Sequence, residues 1–469
     1  MVVETMIEAG MQAFKKNIQA FCGADAEEAL SAESAHAVAL GVQEVLASVG
    51  ASVYRAFLES KEEVRDVVVD GTEVFRFKYE SEKTFMSLWG PMEVRRRVYQ
   101  NAQDTQTHVP LDAAWGMQDE FLTVEVREAV LFSCAHITPE ETAALLTKSA
   151  LFHPHPTQIK RALAALGEDL PAHRAMVDAR IRGAEHAPCG TRVLAASLDG
   201  ANVLMRDAEG AKRGRPAERP GLDARQADTT AYKNAMVGSV TFYGDAVAED
   251  KTPERLCTRY VSHMPEERAT TFKTKFGAEL AAAEAKTDNV TKVLICDGAR
   301  GIWKYVDESG RYTGYEKLID YWHTLEHLSL AAEALFGKGT NEAKYWYGKY
   351  ARYLIEKDDG AQRAIRSMAY YEKHGGLSPS RKADLASQQT FFMRNQRRMT
   401  YADFRRRGLP IGSGPVEAAC KTLVKTRMCR SGMRWTRDGG QRILDLRTYV
   451  KSDRWDAFWT NYNALRNAA

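Results

Sequence analysis

The sequence has no Cys-x-x-Cys pair, no long uninterrupted apolar run and no large excess of one charge. Its seven cysteines are irregularly spaced, which excludes a zinc site built on Cys-x-x-Cys pairs and favours reduced thiols in a cytoplasmic protein. Since a membrane helix needs roughly 18 or more consecutive apolar residues, no membrane span is expected. The N-terminal residues lack a charged stretch followed by an apolar core, so no signal peptide is expected either.

The chain is long, and its charge is concentrated in one region. Its 469 residues with 44% hydrophobic content are enough for about three domains with buried cores. The net charge is only +3, but residues 393–451 hold 15 Lys and Arg against 4 Asp and Glu, an excess of 11. Such a block is typical of a nucleic-acid-binding surface, although a solvated helical face has the same composition.

Three acidic residues stand where strands and a helix could bring them together. Asp199 and Asp297 each end a short apolar run that predicts a strand, and Glu417 lies in the first turn of a predicted helix, with Gly414 at its N-cap. Each residue alone has an ordinary interpretation, because Asp-Gly is a common turn and a helix dipole favours an early glutamate. Three convergent carboxylates would form an oxygen-rich site suited to Mg²⁺. Two-metal sites catalyse in-line displacement at phosphorus.

Composition and periodicity divide the chain into six predicted segments. They are a helical N-terminal segment at 1–60, a small β module at 61–116, a helix-turn-helix-like region at 117–190, the first part of a core at 191–330, a helical insertion at 331–405 and a completion of the core at 406–469. The first segment could pack within its own domain or against a second copy. The helices after 117 could equally be an ordinary helical pair. Aromatic residues of the insertion could stack on bases or fill its own core.

Residues 191–330 alternate between strand and helix patterns. Strands are predicted at 193–198, 202–205, 235–243, 292–296 and 318–319, helices at 265–285, 299–305 and 322–336, and a loop at 208–230. The order is three strands, helix, strand, helix, strand and helix. That is the order of a ribonuclease-H-like core, so we predict an α/β fold of this class with a helical insertion.

Several stretches around the acidic residues match a known family. They are Ser-Leu-Asp-Gly at 197–200, Leu-Ile-Cys-Asp-Gly-Ala at 294–299, Ile-Asp-Tyr-Trp-His at 319–323, Gly-Leu-Pro-Ile-Gly-Ser-Gly-Pro-Val-Glu-Ala-Ala at 408–419 and the segment 427–435. The chain resembles bacterial insertion-sequence transposases of the DDE type and is most similar to the Kra-type group, which is allied to eukaryotic Mutator-like elements. The match covers residues 190–450 well and the N-terminal part loosely.

The resemblance implies cleavage at transposon ends, followed by attack of a free 3′-hydroxyl on target DNA. Two Mg²⁺ or Mn²⁺ ions would be held by Asp199, Asp297 and Glu417. A motif Asp-x-x-His of the same group falls on Asp320 and His323, which implies a catalytic pair near the scissile phosphate; from chemistry alone, His323 is more often structural. DNA, a second copy of the chain and the nucleoid of the bacterial cytoplasm are the implied partners and location.

Basic residues in three segments are predicted to contact DNA. They are Arg95, Arg96 and Arg97 in the β module, Lys160 and Arg161 in the helical pair, and Arg300, Lys421, Lys425, Arg427, Arg430 and Arg434 around the core. Similar proteins can carry Cys pairs after a motif like 96–99, but the residues that follow here contain no cysteine, so the β module is predicted to be metal-free. A structure-specific nuclease on the same fold and a domesticated protein that only binds DNA remain alternatives.

Overall fold

The computed structural model describes residues 2–25, 31–103, 105–118, 120–206, 232–247 and 252–466. The chain divides into two units, one made of residues 1–178 with 456–469 and the other of residues 179–455. Both contain helices and one sheet each, so the protein is a mixed α/β protein. The loop predicted at 208–230 lies outside the described residues.

The first unit begins with two long helices, as predicted. They are α1 (Val2–Asp25) and α2 (Ala32–Glu59). The start of α2 is fixed by a capping box, in which Ser31 and Ser34 each accept a hydrogen bond from the other's backbone N–H. By length and composition, α2 is also apolar enough to cross a membrane. This differs from the prediction because alanine and valine make α2 apolar without an uninterrupted run of large side chains.

The β module of the first unit is a four-stranded antiparallel sheet. Its strands follow in chain order: β1 (Val67–Asp70), β2 (Glu73–Ser87), β3 (Gly90–Asn101) and β4 (Thr107–His108). These strands lie within the segment 61–116 that is predicted as a β module. Side chains of β3 alternate between buried and exposed, which is the period of two expected for a strand with one covered face.

Five helices complete the first unit. They are α3 (Pro110–Trp115), α4 (Val124–His136), α5 (Pro139–Ser149), α6 (Pro156–Ala184), whose last residues belong to the second unit, and α17 (Trp455–Arg466), which begins in the second unit. The start of α5 is fixed by a capping box, in which the Thr138 side chain accepts from the backbone N–H of Glu141 and the Glu141 carboxylate accepts from the backbone N–H of Thr138. Within this unit Tyr462 donates to Asp169 at 2.6 Å.

The second unit is built on a five-stranded sheet in the order β7-β6-β5-β8-β9. The strands are β5 (Val193–Leu204), β6 (Tyr232–Val247), β7 (Thr252–His263), β8 (Thr291–Cys296) and β9 (Glu316–Ile319). The first three are antiparallel neighbours, whereas β8 pairs in parallel with both β5 and β9. The parallel half therefore brings the carboxyl ends of β8 and β9 to one edge.

Two strand predictions are corrected by the structure. The strands predicted at 193–198 and 202–205 form one continuous strand, β5, and Asp199 lies within it rather than at its end. The pairing of Asp199 with Val237 and of Gly200 with Met236 carries β5 through the Asp-Gly step. Strand β7 was not predicted, because its sequence mixes arginine, glutamate and threonine with few large apolar residues.

The remaining helices surround this sheet. They are α7 (Thr270–Glu284), α8 (Arg300–Glu308), α9 (Tyr321–Phe336), the insertion helices α10 (Asn341–Glu356), α11 (Gly360–His374), α12 (Pro379–Asn395) and α13 (Tyr401–Arg406), and then α14 (Gly414–Ala419), α15 (Thr426–Met428) and α16 (Arg437–Lys451). A π-helical segment, Cys420–Lys425, joins α14 to α15. Helices α10 to α13 lie between residues 341 and 406, almost entirely within the segment 331–405 that is predicted as a helical insertion.

The core of the second unit is divided by the sheet. One buried cluster joins β5, β6, β8 and β9 to α7, α8, α9 and the insertion helices. The other joins β5 and β6 to the α14–α15 region, with Val416, Cys420 and Leu423 among its buried members. The segment that carries Glu417 is thus held against β5, the strand that carries Asp199.

Candidate functional site

The pairing register of the sheet places three aspartates on neighbouring strands at one level. Ala196 of β5 pairs with Leu294 of β8, so Asp199 and Asp297 each lie three residues beyond a paired position. Cys296 of β8 pairs with Ile319 of β9, and the next residues are Asp297 and Asp320. Because neighbouring strands lie about 4.8 Å apart, this edge of the sheet is strongly acidic.

Asp297 is fixed by the turn that joins β8 to α8. Its Oδ1 accepts a hydrogen bond from the backbone N–H of Ala299 at 3.0 Å, and its carbonyl accepts from Trp303 Nε1 at 2.6 Å. The next residue, Gly298, has no side chain, and a Cβ at this position would lie 2.3 Å from the Phe391 ring. The Asp-Gly sequence that predicts a turn is therefore also what lets an insertion helix approach the acidic site.

Asp320 is fully buried and connects two parts of the site. Its Oδ1 accepts from the backbone N–H of His323 at 2.7 Å, which caps α9. Its Oδ2 accepts from the backbone N–H and the hydroxyl of Ser413, at 2.5 and 2.9 Å. The carboxylate of Asp320 has no exposed surface, and its catalytic role stays a prediction.

Ser413 extends this connection to Glu417. The Ser413 hydroxyl lies 2.7 Å from Glu417 Oε1, and Ser413, rather than the predicted Gly414, is the N-cap of α14. The hydroxyl can donate to only one carboxylate at a time, so the two acids share it. On the other side, the Cys420 side chain donates to Asp199, and burial, reinforced by the charge of Asp199, raises the pKa of this thiol.

Burial and the charges of neighbouring acids raise the pKa values of two acidic residues in the site. Burial raises the pKa of Asp297, and the charges of Asp199 and Asp320 raise it further, against the lowering effects of the Ala299 N–H and of His323. The pKa of Glu417 is also raised by partial desolvation and by the charges of Asp320 and Asp199, although the residue as a whole is exposed. Within the described ranges, no Lys or Arg forms an ion pair with any of these four acids.

This arrangement fits a hard divalent cation in its donor chemistry. Carboxylate oxygens are the ligands that Mg²⁺ and Mn²⁺ prefer, and a cation would relieve the repulsion that raises the pKa values of Asp297 and Glu417. No three His, Cys, Asp or Glu side chains among the described residues are close enough together to hold an ion as a preformed cage. The site is thus a group of neighbouring carboxylates rather than a closed metal centre.

His323 lies at the edge of the acidic site. Its ring is half-buried, and its charge lowers the pKa of Asp297. The Nδ1 atom is 3.3 Å from Glu326 Oε2, and the ring packs edge-on against His327 at 4.9 Å between ring centroids. His323 is therefore placed where an imidazole could meet a group bound at Asp297.

The structure divides the predicted DNA-contacting residues into exposed and buried ones. The exposed ones are Arg95, Lys160, Arg161, Arg300, Lys421, Lys425, Arg430 and Arg434. Arg427 is only 2% exposed and lies over the Trp435 ring at 5.5 Å, and Arg96 is buried against Asp112 at 2.5 Å. The DNA contacts of Arg427 and Arg96 stay predictions, and the structure buries both side chains.

Arg97 and Lys160 are partly engaged within the first unit. The Arg97 guanidinium lies 3.8 Å from the centroid of the Phe77 ring and donates to the Tyr99 hydroxyl at 3.2 Å. Lys160 forms an exposed ion pair with Glu140 at 2.5 Å, and exposed pairs of this kind contribute little free energy. Lys160 can exchange this partner for a phosphate at small cost, whereas Arg97 would first have to leave its aromatic contact.

Sequence patterns do not identify every residue that forms the site. The bridging role of Ser413 depends on a contact with Asp320, 93 residues away in sequence. Arg394 reaches the carbonyl of Gly298 at 3.5 Å from α12, 96 residues away. Ser413 lies inside the matching stretch 408–419 and Arg394 inside the basic block, and neither signal indicates such a contact.

No protein-family model and no curated protein matches this chain. Among solved structures, the chain is similar to one in the Drosophila P element transposase strand transfer complex, with 12% sequence identity over 73% of this chain and 81% of the other. The TM-score is 0.25, and a similarity of this size carries no argument about fold or activity.

Proposed function

We propose that this protein is a DDE-type DNA transposase with a ribonuclease-H-like core, allied to the Kra-type insertion-sequence group. The observation that carries the proposal is that Asp199 lies on β5 and Asp297 directly follows its parallel neighbour β8, and that the helix carrying Glu417 packs against the first of these strands. The strand order β7-β6-β5-β8-β9, with an antiparallel and a parallel half, supports the fold. The cytoplasm, at the nucleoid, is the proposed location.

In this proposal Asp199, Asp297 and Glu417 hold two Mg²⁺ or Mn²⁺ ions. Such ions stabilise negative charge on phosphate oxygens and make a bound water nucleophilic at neutral pH. The chain's own contribution is to place the carboxylates, through the Ala299 N–H at Asp297 and the Ser413 hydroxyl at Glu417. Packing against β5 and β6 holds the segment that carries Glu417 against β5, the strand that contains Asp199.

Asp320 and His323 act around these carboxylates. Asp320 fixes the start of α9 and the turn before Glu417, so it positions both His323 and Glu417. His323, next to Asp297, donates a hydrogen bond to a non-bridging oxygen of the bound phosphate. The exposed basic residues around the core bind the DNA backbone by charge, and the first unit is proposed to recognise the transposon ends.

The proposal is tested by incubating the full-length protein with Mg²⁺ and DNA that carries the ends of its element. A transposase produces cleaved ends and strand-transfer products joined to target DNA. Nicks without joined products would indicate the structure-specific nuclease. A mobility shift without cleavage would indicate a protein that only binds DNA.

A further inference from the structure

A cleft of about 600 Å³ opens next to Asp297. It lies between the start of α8, the first half of α9 and the second half of α12. Its charged and polar lining includes Arg300, His323, His327, Thr390 and Arg394. The cleft therefore begins at a candidate catalytic carboxylate and continues along a wall that carries two arginines and two histidines.

Two arginines give this cleft its charge. Arg300 and Arg394 are both exposed, and neither forms an ion pair with a carboxylate of the described chain. Nearby cations do have such partners: Arg398 lies 2.6 Å from Asp307, and Arg407 pairs with Glu316. Burial and the charges of Arg300 and Arg398 lower the pKa of Arg394, so positive charges lie close together here, and the carboxylate among the residues that line the cleft is that of Asp297.

The wall behind the arginines is held by packing. Phe391 is buried against Gly298 and stacks on His327, with ring centroids 3.6 Å apart and an angle of 16°. The Nδ1 of His327 is 2.7 Å from Gln388 Oε1, and burial lowers the pKa of His327, which keeps its imidazole neutral. The charge in the cleft thus comes from Arg300 and Arg394, and the Arg394 side chain is aimed inward by its contact with the Gly298 carbonyl at 3.5 Å.

We propose that Arg300 and Arg394 bind a phosphate of the DNA strand next to the phosphate that is cut at Asp297. The guanidinium fork of arginine matches phosphate oxygens in two parallel hydrogen bonds. Only Gly298 and Ala299 separate Asp297 from Arg300 in the chain. When one phosphate of a DNA strand is bound at the two arginines, the next phosphate of the same strand therefore lies at the carboxylates. This inference rests on the proposed function and gives Arg394 a positioning role.

The test is photo-crosslinking from inside the cleft in the full-length protein. Thr390→p-azidophenylalanine places the probe on an exposed position of the cleft wall, and labelled DNA is added with EDTA so that cleavage plays no part. We expect crosslinking to DNA, and a decrease of about tenfold or more when Arg300→Gln and Arg394→Gln are added, because both arginines then stop donating charge-assisted hydrogen bonds to the phosphate. Arg397→Gln is the matched control, since Arg397 is equally exposed and does not line the cleft.

The outcomes separate this inference from the proposed function. If the protein retains DNA in a filter-binding assay but Thr390→p-azidophenylalanine gives no crosslink, the cleft is not a DNA site and the inference alone fails. An equal loss of crosslinking with Arg397→Gln would also overturn it, because binding would then reflect diffuse charge. If no DNA is retained at all, the proposed function fails together with the inference. Circular dichroism spectra that match the parent protein confirm that the variants are folded.

Discussion

At the level of single residues, the geometry of the acidic site depends on Ser413. Its backbone N–H and hydroxyl both contact Asp320, and the hydroxyl also reaches Glu417. Because Asp320 is fully buried, water cannot replace a hydrogen bond that its carboxylate loses. One hydroxyl thus connects the stability of this region to the placement of a proposed metal ligand.

The variant Ser413→Ala should lose both stability and orientation of Glu417. We expect the free energy of unfolding to fall by about 1–2 kcal/mol, the usual cost of leaving a buried acceptor unsatisfied. DNA cleavage should fall while DNA binding is retained, because Glu417 loses its hydrogen bond but no charge is removed. Chemical denaturation and a cleavage assay measure the two effects. Ser431→Ala, on an exposed serine, is the control; equal effects of the two variants would contradict the role of Ser413.

Asp297 should destabilise the protein when no divalent ion is present. Its pKa is raised in the folded state, first by burial and then by neighbouring acids, so its ionised form costs folding free energy at neutral pH. That cost decreases as the pH falls toward the raised pKa and is absent in Asp297→Asn. In EDTA at pH 7, this variant should therefore melt at the same or a higher temperature than the wild type, whereas Asp288→Asn, on an exposed aspartate, should leave the melting temperature unchanged. A clear decrease for Asp297→Asn would contradict the account.

At the scale of elements, the segment from the π-helical turn to Trp435 presents a basic surface. Its exposed cations are Lys421, Lys425, Arg430 and Arg434. Changing all four to glutamine should weaken DNA binding for every sequence and reduce the slope of log affinity against log salt by up to about 0.9 for each phosphate that is no longer neutralised. Arg366→Gln with Lys373→Gln, on the exposed face of α11, is the control pair. Equal slopes in titrations of the two proteins would show that the surface does not face DNA.

How far each element could be predicted depends on where its stabilising contacts come from. Strand β8 and the turn at Asp297 were predicted because a buried apolar run ends at an Asp-Gly pair, which is a local signal. The Asp-Gly pair at Asp199 led to a wrong prediction of a strand end. Strand β5 continues there because it pairs with β6 and because Gly200 leaves space for Asn234. The burial of Arg427 was not predicted either, because an arginine in a basic block is expected to be exposed, whereas here it lies over the Trp435 ring.

At the scale of the whole molecule, the paired helices α1 and α2 leave large apolar side chains uncovered. These are Val3, Ile7, Met11 and Phe14 on α1 and Val38, Leu40, Val42, Leu46 and Phe57 on α2. Under the proposed function, two transposon ends must be brought together, so we propose that these helices join two copies of the chain. Apolar surface of this extent is typical of an interface rather than of a free monomer.

Light scattering of the full-length protein should give the mass of a dimer or a larger assembly. Leu46→Glu with Val42→Glu should shift it to the monomer, because two charges then lie on the shared apolar face. Val64→Glu, on a residue that is 81% exposed and outside both helices, is the control. A monomeric wild type that floats with lipid vesicles would instead assign the apolar surface of α2 to a membrane.

Asp199, Asp297 and Glu417 are proposed to form a metal-dependent site for cutting and joining DNA. The most direct measurement compares wild type, Asp297→Asn and Asp288→Asn on DNA that carries the element's ends, in Mg²⁺. We expect the wild type and Asp288→Asn to cleave and join, and Asp297→Asn to bind equally well while losing about a thousandfold or more in cleavage rate, the effect of removing several kcal/mol of transition-state stabilisation. Cleavage by Asp297→Asn at a rate near that of the wild type would contradict the claim.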